Sequence, residues 1–300
     1  MQIYKTRGTQ AVMRKSIYFA ANLGVAIISL ACLVCMSQDL QISWERINLS
    51  SWLPSICEAV LCAGLVHLIK GLRLYLISME KCISLKRFLK IYTKTTLVTL
   101  VLPWKTGEFF RIYCLGEEMR DYHSGFLCVL VDRYFDSVPL VIVTVMYSIG
   151  DSINVLIFTW VLLFFVISTT LAYSLFPSLY QYFNRFIIMR ITSKGGITAL
   201  EILEKLLQWH SYAEQLVKGR GALLLTLSFG AWMIEYITLM ILSTCFSLPF
   251  KARQFMYYLN HIFSGATGDL EISYAFLLAG VASLFYIAVS ARSIRRTTEI

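Results

Sequence analysis

The chain has 300 residues and a formal net charge of +9; 57% of its residues are hydrophobic and 15% are charged. Soluble chains carry about 25% charged residues, so this composition excludes an ordinary soluble domain. Repeated apolar runs of about 20 residues instead predict an all-α polytopic membrane protein. The basic residues gather between these runs, where they indicate topology and contact with anionic lipid head groups, and no nucleic-acid partner is expected.

The apolar runs predict about six transmembrane helices within one integral membrane domain, 1–300. The first run has the length of a full span, which favours a retained helix over a cleaved signal peptide. In chain order the predicted spans are 17–36, 52–72, 125–148, 153–176, 221–248 and 272–290.

Two shorter apolar runs, Thr95–Pro103 and Phe255–Ser264, are predicted to enter the membrane as re-entrant helical segments and to return without crossing it. If the first run crossed, the basic loop 177–220 would lie outside, against the positive-inside rule. With both runs re-entrant, the basic loops and both termini lie on the cytoplasmic side of the plasma membrane. Pro103 and Gly107 suit a break in the first segment.

Six basic residues lie at or just beyond the end of the second predicted span, so this stretch is predicted to be a cytoplasmic loop. They are Lys70, Arg73, Lys81, Lys86, Arg87 and Lys90. Segment 177–220 is predicted to be a cytoplasmic amphipathic connector, because apolar residues recur there beside Glu201, Glu204 and Lys205.

The two short runs end alike, in Thr106-Gly107-Glu108 and in Thr267-Gly268-Asp269, and they enter from opposite sides. This pattern predicts an inverted repeat, with 1–176 as the first half and 221–300 as the second. In transporters such repeats place a binding site near the midplane of the membrane.

Five charged residues fall at predicted membrane depth: Glu108, Arg111, Asp132, Arg133 and Asp136. Each costs about 3 kcal/mol there unless it has a partner, so a polar site within the membrane is predicted. Arg133 is spaced to pair with Asp136, and the leftover carboxylate is predicted to engage a cationic head group or Arg111. An arginine open to a cavity suits phosphate. The same charges also fit a structural ion pair between helices.

Two further acids are candidates. Glu235, alone in the middle of its span, fits a neutral core acid, a partner for a site arginine or a proton relay. Glu271 begins a predicted helix, where it fits either dipole stabilisation or substrate binding. The histidines are scattered, and neither a metal site nor a cofactor is expected.

These residues form a pattern: Pro103, Gly107-Glu108, Arg111, Asp132-Arg133-x-x-Asp136 and Gly268-Asp269-Leu270-Glu271. The pattern resembles the lysylphosphatidylglycerol synthase transmembrane family, or flippase-like domain family, the membrane half of bacterial lipid synthase-flippases. Asp132 stands where the family more usually has Glu, and Phe263–Thr267 lacks the expected prolines. These departures put the substrate in question more than the fold.

The resemblance implies a standalone member without the soluble synthase domain, which handles a lipid and does not synthesise it. The implied function is to bind and translocate, or present, a phospholipid or lipid-linked glycan precursor in cell-envelope biogenesis, alongside envelope-synthesis enzymes. Its implied substrate-binding residues are Glu108, Arg111, Asp132, Arg133, Asp136, Glu235 and Glu271.

Two alternatives remain open. Asn260-His261 in an apolar stretch fits an integral membrane acyl transferase, because His is the commonest general base; a membrane glycosyltransferase belongs to the same class. The other alternative is a non-catalytic subunit of an envelope polysaccharide assembly. A protein that is not an enzyme is favoured, because membrane transferases have longer chains with more spans.

Overall fold

The computed structural model describes nine stretches of the chain, and every regular element within them is helical. The described residues are 49–101, 107–150, 157–190, 194–245, 250–251, 254–256, 258–259, 274 and 277–287. The predicted first span, the Gly268–Glu271 turn and Asn260-His261 lie outside them, as does most of the second short run. The predicted all-α class is confirmed.

The helices are α1 Leu49–Ser78, α2 Leu85–Val101, α3 Gly107–Met119, α4 Tyr122–Gly150, α5 Ile157–Arg190, α6 Lys194–Val217, α7 Gly221–Cys245 and α8 Leu277–Ile287. Three segments within the described residues are long and apolar enough to cross a membrane: Leu53–Lys81, Thr159–Met189 and Gly221–Cys245. They correspond to three of the predicted spans. The total of six spans stays a prediction.

Helix α5 is longer than its predicted span, which ended at residue 176. It continues through Pro177 to Arg190. Its 34 residues measure about 51 Å at 1.5 Å per residue, well beyond a hydrocarbon core of about 30 Å. The first part of the predicted connector therefore belongs to α5, and the predicted amphipathic helix is α6.

Pro177 interrupts the hydrogen bonds of α5 without ending the helix, and α6 supplies a donor to the carbonyl left without one. A proline at 177 has no N–H for the carbonyl of Tyr173, four residues earlier. Nε2 of His210 lies 3.0 Å from that carbonyl oxygen and donates to it. The imidazole also stacks on Tyr173 and Phe176, with ring centroids 4.7 Å and 5.0 Å away. α6 is thus attached to α5 where the α5 backbone needs a donor.

The chain divides into two compact units. Unit 1 comprises Met1–His67, Ser84–Arg111 and Ile234–Ile300, and unit 2 comprises Leu68–Ile83 and Ile112–Met233. Since the two predicted repeat halves include undescribed residues, the inverted repeat stays a prediction.

Unit 2 has a buried core shared by α1, α4, α6 and α7: Ile77, Leu127, Cys128, Phe135, Leu216 and Leu224. Trp209 and Tyr212 of α6 pack against this core, whereas Ile197, Ile202 and Leu206 of the same helix remain exposed.

The turn into α4 is closely packed. A Cβ on Gly125 would lie 2.7 Å from the backbone nitrogen of Gly116, so α3 and α4 touch through their backbones. Asp121 caps α4 by accepting from the backbone N–H of His123 at 3.1 Å. The hydrogen bond that the Ser124 hydroxyl donates to Asp121 lowers the pKa of that carboxyl below its usual value.

We predict that replacing His210 destabilises the protein mainly because of Pro177. His210→Phe should lower the melting temperature, since it keeps an aromatic ring but leaves the Tyr173 carbonyl without its donor. In a Pro177→Ala background the backbone N–H of residue 177 returns, and the same replacement should cost less. A thermal double-mutant cycle in detergent measures the difference. Equal losses in the two backgrounds would show that the contribution of His210 does not depend on Pro177.

Candidate functional site

Unit 2 contains a buried arginine that binds both predicted intramembrane carboxylates. Arg73, on α1, has 0% exposed surface. Its Nε donates to Asp132 Oδ1 at 2.7 Å, and its Nη1 donates to Asp136 Oδ1 at 2.8 Å. Nη1 also donates to the hydroxyl of Ser228 at 2.8 Å. One guanidinium therefore joins α1, α4 and α7.

Arg133 completes this group from the exposed side. Its Nη2 donates to Asp132 Oδ2 at 2.6 Å, and its Nη1 donates to Asp136 Oδ2 at 3.3 Å. Its side chain is 29% exposed, whereas that of Asp132 is almost completely buried. Two arginines face two aspartates, so the formal charges of this group, which we call the Arg73 cluster, cancel.

The predicted pairing of Arg133 with Asp136 is present, but the predicted leftover carboxylate is not. Arg73 binds Asp136 and Asp132 together, in the place predicted for a cationic head group or Arg111. The sequence predicts Arg73 to be a cation of a cytoplasmic loop, because the predicted span ends one residue before it. α1 runs on to Ser78, so Arg73 lies inside a helix. The signal that could have found it is the net charge of −1 in α4, which requires another cation.

Two further side chains, those of Trp232 and Lys70, lie beside the Arg73 cluster. The indole Nε1 of Trp232 donates to the backbone carbonyl of Asp136 at 3.1 Å. The ammonium of Lys70 lies 4.7 Å from the centroid of the Trp232 ring, a cation–π contact. Lys70 and Arg73 are three residues apart, so α1 presents both cations from one face.

Unit 1 contains a second arginine group, on α2 and α3. Arg111 is 5% exposed. Its Nε lies 3.3 Å from the Thr95 hydroxyl and its Nη2 lies 3.4 Å from the Thr96 hydroxyl. Its Nη1 lies 3.3 Å and 3.4 Å from the two carboxylate oxygens of Glu108, and its guanidinium lies 5.6 Å from the ring centroid of Tyr92. These residues form the Arg111 group.

The two arginines are held very differently. N–H···O hydrogen bonds usually measure 2.7–3.2 Å, and those to charged partners are shorter still. All the Arg111 distances exceed this range, whereas Arg73 makes its bonds at 2.7–2.8 Å. Arg111 is therefore a largely desolvated cation with weak internal contacts, which an anion could replace with stronger ones.

Gly107 places the Arg111 group by bringing α2 and α3 together. A Cβ at Gly107 would lie 2.3 Å from the Cα of Thr99, so only glycine fits this contact. Further along, Arg111 meets Thr95 and Thr96. Because both contacts follow one antiparallel register, the chain turns back on itself between α2 and α3. Such a helical hairpin is the shape expected of a re-entrant segment.

The remaining candidates are Glu235 and Glu271. Glu235 is buried and accepts a hydrogen bond from the Tyr258 hydroxyl at 3.0 Å. Tyr258 in turn packs edge to face on Tyr274, with centroids 5.8 Å apart. A core acid and a proton relay both fit this arrangement. Glu271 lies outside the described residues.

Long apolar helices with buried, mutually neutralising charges define an α-helical integral membrane protein. The family described as the lysylphosphatidylglycerol synthase TM region matches residues 21–266, and the chain belongs to that family. Neither curated proteins nor solved structures gave a match. The matched range contains both arginine groups and ends before Gly268. The chain is thus a membrane protein of lipid or envelope biogenesis.

We predict that Arg73→Ala strongly reduces yield and melting temperature, because it leaves buried carboxylates with too few cations. Breaking a buried ion pair in this way costs about 3–5 kcal/mol. Arg185→Ala, which removes an exposed arginine from α5, is the matched control and should behave like wild type. Adding Asp136→Asn to Arg73→Ala restores neutrality and should recover part of the loss. An unchanged melting temperature for Arg73→Ala would contradict the structural role.

A second prediction concerns the contact at Gly107. Gly107→Ala should lower the melting temperature, because the new methyl group forces α2 and α3 apart at Thr99. Gly64→Ala is its control: a Cβ at that helical glycine meets nothing within 4 Å. That change should be neutral or slightly stabilising, since alanine is the better helix former. Thermal melts measure the melting temperature of both variants. Equal melting temperatures would contradict the close backbone contact at Gly107.

Proposed function

We propose that this protein binds the head group of a membrane phospholipid or lipid-linked glycan precursor at Arg111 and translocates or presents it across the plasma membrane. This is a flippase-like role in cell-envelope biogenesis, alongside envelope-synthesis enzymes. Membership of the lysylphosphatidylglycerol synthase TM region family supports it.

The observation that carries the proposal is the weak coordination of Arg111. Its contacts at 3.3–3.4 Å leave a buried guanidinium with less stabilisation than its burial requires. A lipid phosphate offers oxygens in the geometry that a guanidinium fork binds bidentately, at shorter distance. Glu108, in the first turn of α3, keeps a favourable position at the helix N-terminus when phosphate replaces it.

The Arg73 cluster has a different role in this proposal. Arg73 and Arg133 together neutralise Asp132 and Asp136, so Arg73 and the two aspartates fasten helices together and do not bind substrate. Arg133 is the member that a head group reaches, because part of its side chain is exposed. This division leaves Glu108 and Arg111 as the principal binding residues.

The mechanism follows from the cost of a polar head group in hydrocarbon. A charged group at the centre of a bilayer is unfavourable by several kcal/mol without partners. A pocket containing a guanidinium, the Thr95 and Thr96 hydroxyls and a displaceable carboxylate lowers that cost. We expect the head group to cross along such side chains while the acyl chains remain in the bilayer, with both termini of the protein cytoplasmic.

The test compares Arg111→Ala with Arg73→Ala, the variant that is expected to lose stability. Arg111→Ala should remain folded, since its present contacts are weak, but should lose bound phospholipid by native mass spectrometry. It should also lose translocation of a fluorescent phospholipid in proteoliposomes. Lys205→Ala, an exposed cation of α6, is the control. Wild-type lipid binding and translocation in a folded Arg111→Ala variant would refute the proposal.

A further inference from the structure

Helix α2 carries a one-sided basic pattern. Its sequence, LKRFLKIYTKTTLVTLV, contains basic residues and no acidic one. Lys86, Lys90 and Lys94 recur every four residues, so their side chains lie one above another on a single face. Eight residues of helix span about 12 Å. We call these three residues the lysine row.

Burial increases along the row toward the Arg111 group. Lys86 and Lys90 are exposed, whereas Lys94 is half-buried. The Lys94 ammonium lies 5.2 Å from the ring centroid of Phe110, on α3. The next two residues of α2, Thr95 and Thr96, place their hydroxyls on the Arg111 guanidinium. The row therefore starts at the exposed end of α2 and stops beside the proposed binding pocket.

The row is unfavourable for α2 taken alone. Like charges four residues apart destabilise a helix by a few tenths of a kcal/mol for each pair, and this row contains two such pairs. No carboxylate on α2 offsets the repulsion. An anion bound along the row would remove this repulsion.

We propose that the lysine row is a second, weaker binding site for anionic lipid phosphate, where a head group is held before it reaches Arg111. The inference rests on the proposed function of Arg111. A lipid fits better than a soluble anion, because the opposite face of α2 is buried in a membrane protein through Phe88 and Tyr92, and the row leads to the intramembrane Arg111 group. The row then favours phosphatidylglycerol-like head groups over zwitterionic ones.

The experiment counts lipids on the purified full chain by native mass spectrometry. The probes are phosphatidylglycerol and phosphatidylcholine with identical acyl chains, each titrated in neutral detergent. The row variant is Lys86→Gln/Lys90→Gln/Lys94→Gln, and the matched control is Arg185→Gln/Lys205→Gln/Lys218→Gln, which removes three exposed charges from unit 2. Lys90→Gln alone is the second variant should the triple variant not fold.

The row variant should bind phosphatidylglycerol about fivefold more weakly for each lysine removed, equivalent to about 1 kcal/mol each, while phosphatidylcholine binding stays unchanged. Equal phosphatidylglycerol affinities in the row variant and the control would overturn the proposal and leave the lysines as topology signals. Competition by millimolar inorganic phosphate as effective as that by phosphatidylglycerol would overturn the choice of a lipid ligand.

Arg111→Ala separates this inference from the proposed function. If the pocket binds lipid as proposed, this variant loses the tightest lipid and keeps the weaker phosphatidylglycerol binding that depends on the row. If Arg111→Ala keeps the tightest lipid, the proposed function fails, while the difference between the row variant and its control still decides whether the row binds anionic lipid.

Discussion

The neutralisation of Arg73 is the interaction on which unit 2 depends. Its guanidinium bonds with side chains 59, 63 and 155 residues away in sequence. A bare ion at this burial would be prohibitive in a protein that crosses a membrane, so α1, α4 and α7 are held in one register by charge as well as by shape. The apolar core of Ile77, Leu127 and Leu224 tolerates other packings of similar volume, but the ion pairs do not.

The protein uses the same residue type in two opposite ways. Two carboxylates bind Nε and Nη1 of Arg73 at 2.7–2.8 Å, so exchanging them for a ligand gains little, although the buried Nη2 has no hydrogen-bond partner among the described residues. Arg111 is also desolvated, yet two hydroxyls and one carboxylate approach it only at 3.3–3.4 Å. Burial gives both arginines a strong requirement for anions, and the quality of their internal partners decides which one remains available. Hydrogen-bond distance, and not burial, distinguishes Arg111 from Arg73, and this difference is the basis of the binding role proposed for Arg111.

Several membrane helices and the polar cluster could be predicted from the sequence, because both depend on the local pattern of residues. Apolar length predicted three of the membrane helices, and the misplaced charges of α4 predicted a polar cluster. The sequence did not predict which residues far apart in the chain contact each other. Hydropathy ended the second span one residue before Arg73, although the helix continues. The fourth span was predicted to end at residue 176, although α5 continues through Pro177; His210, which donates to the Tyr173 carbonyl, lies 33 residues beyond that proline. Long-range contacts decide both cases, and local sequence does not encode them.

The attachment of α6 to α5 has a consequence for the tautomer of His210. A carbonyl oxygen only accepts hydrogen bonds, so the ring nitrogen that faces Tyr173 carries a hydrogen. The Tyr173 carbonyl therefore selects the Nε2–H form of the neutral imidazole, and stacking on Tyr173 and Phe176 sets the orientation of the ring. The joint between these helices is thus directional, because it needs a donor at one ring atom as well as a flat aromatic surface.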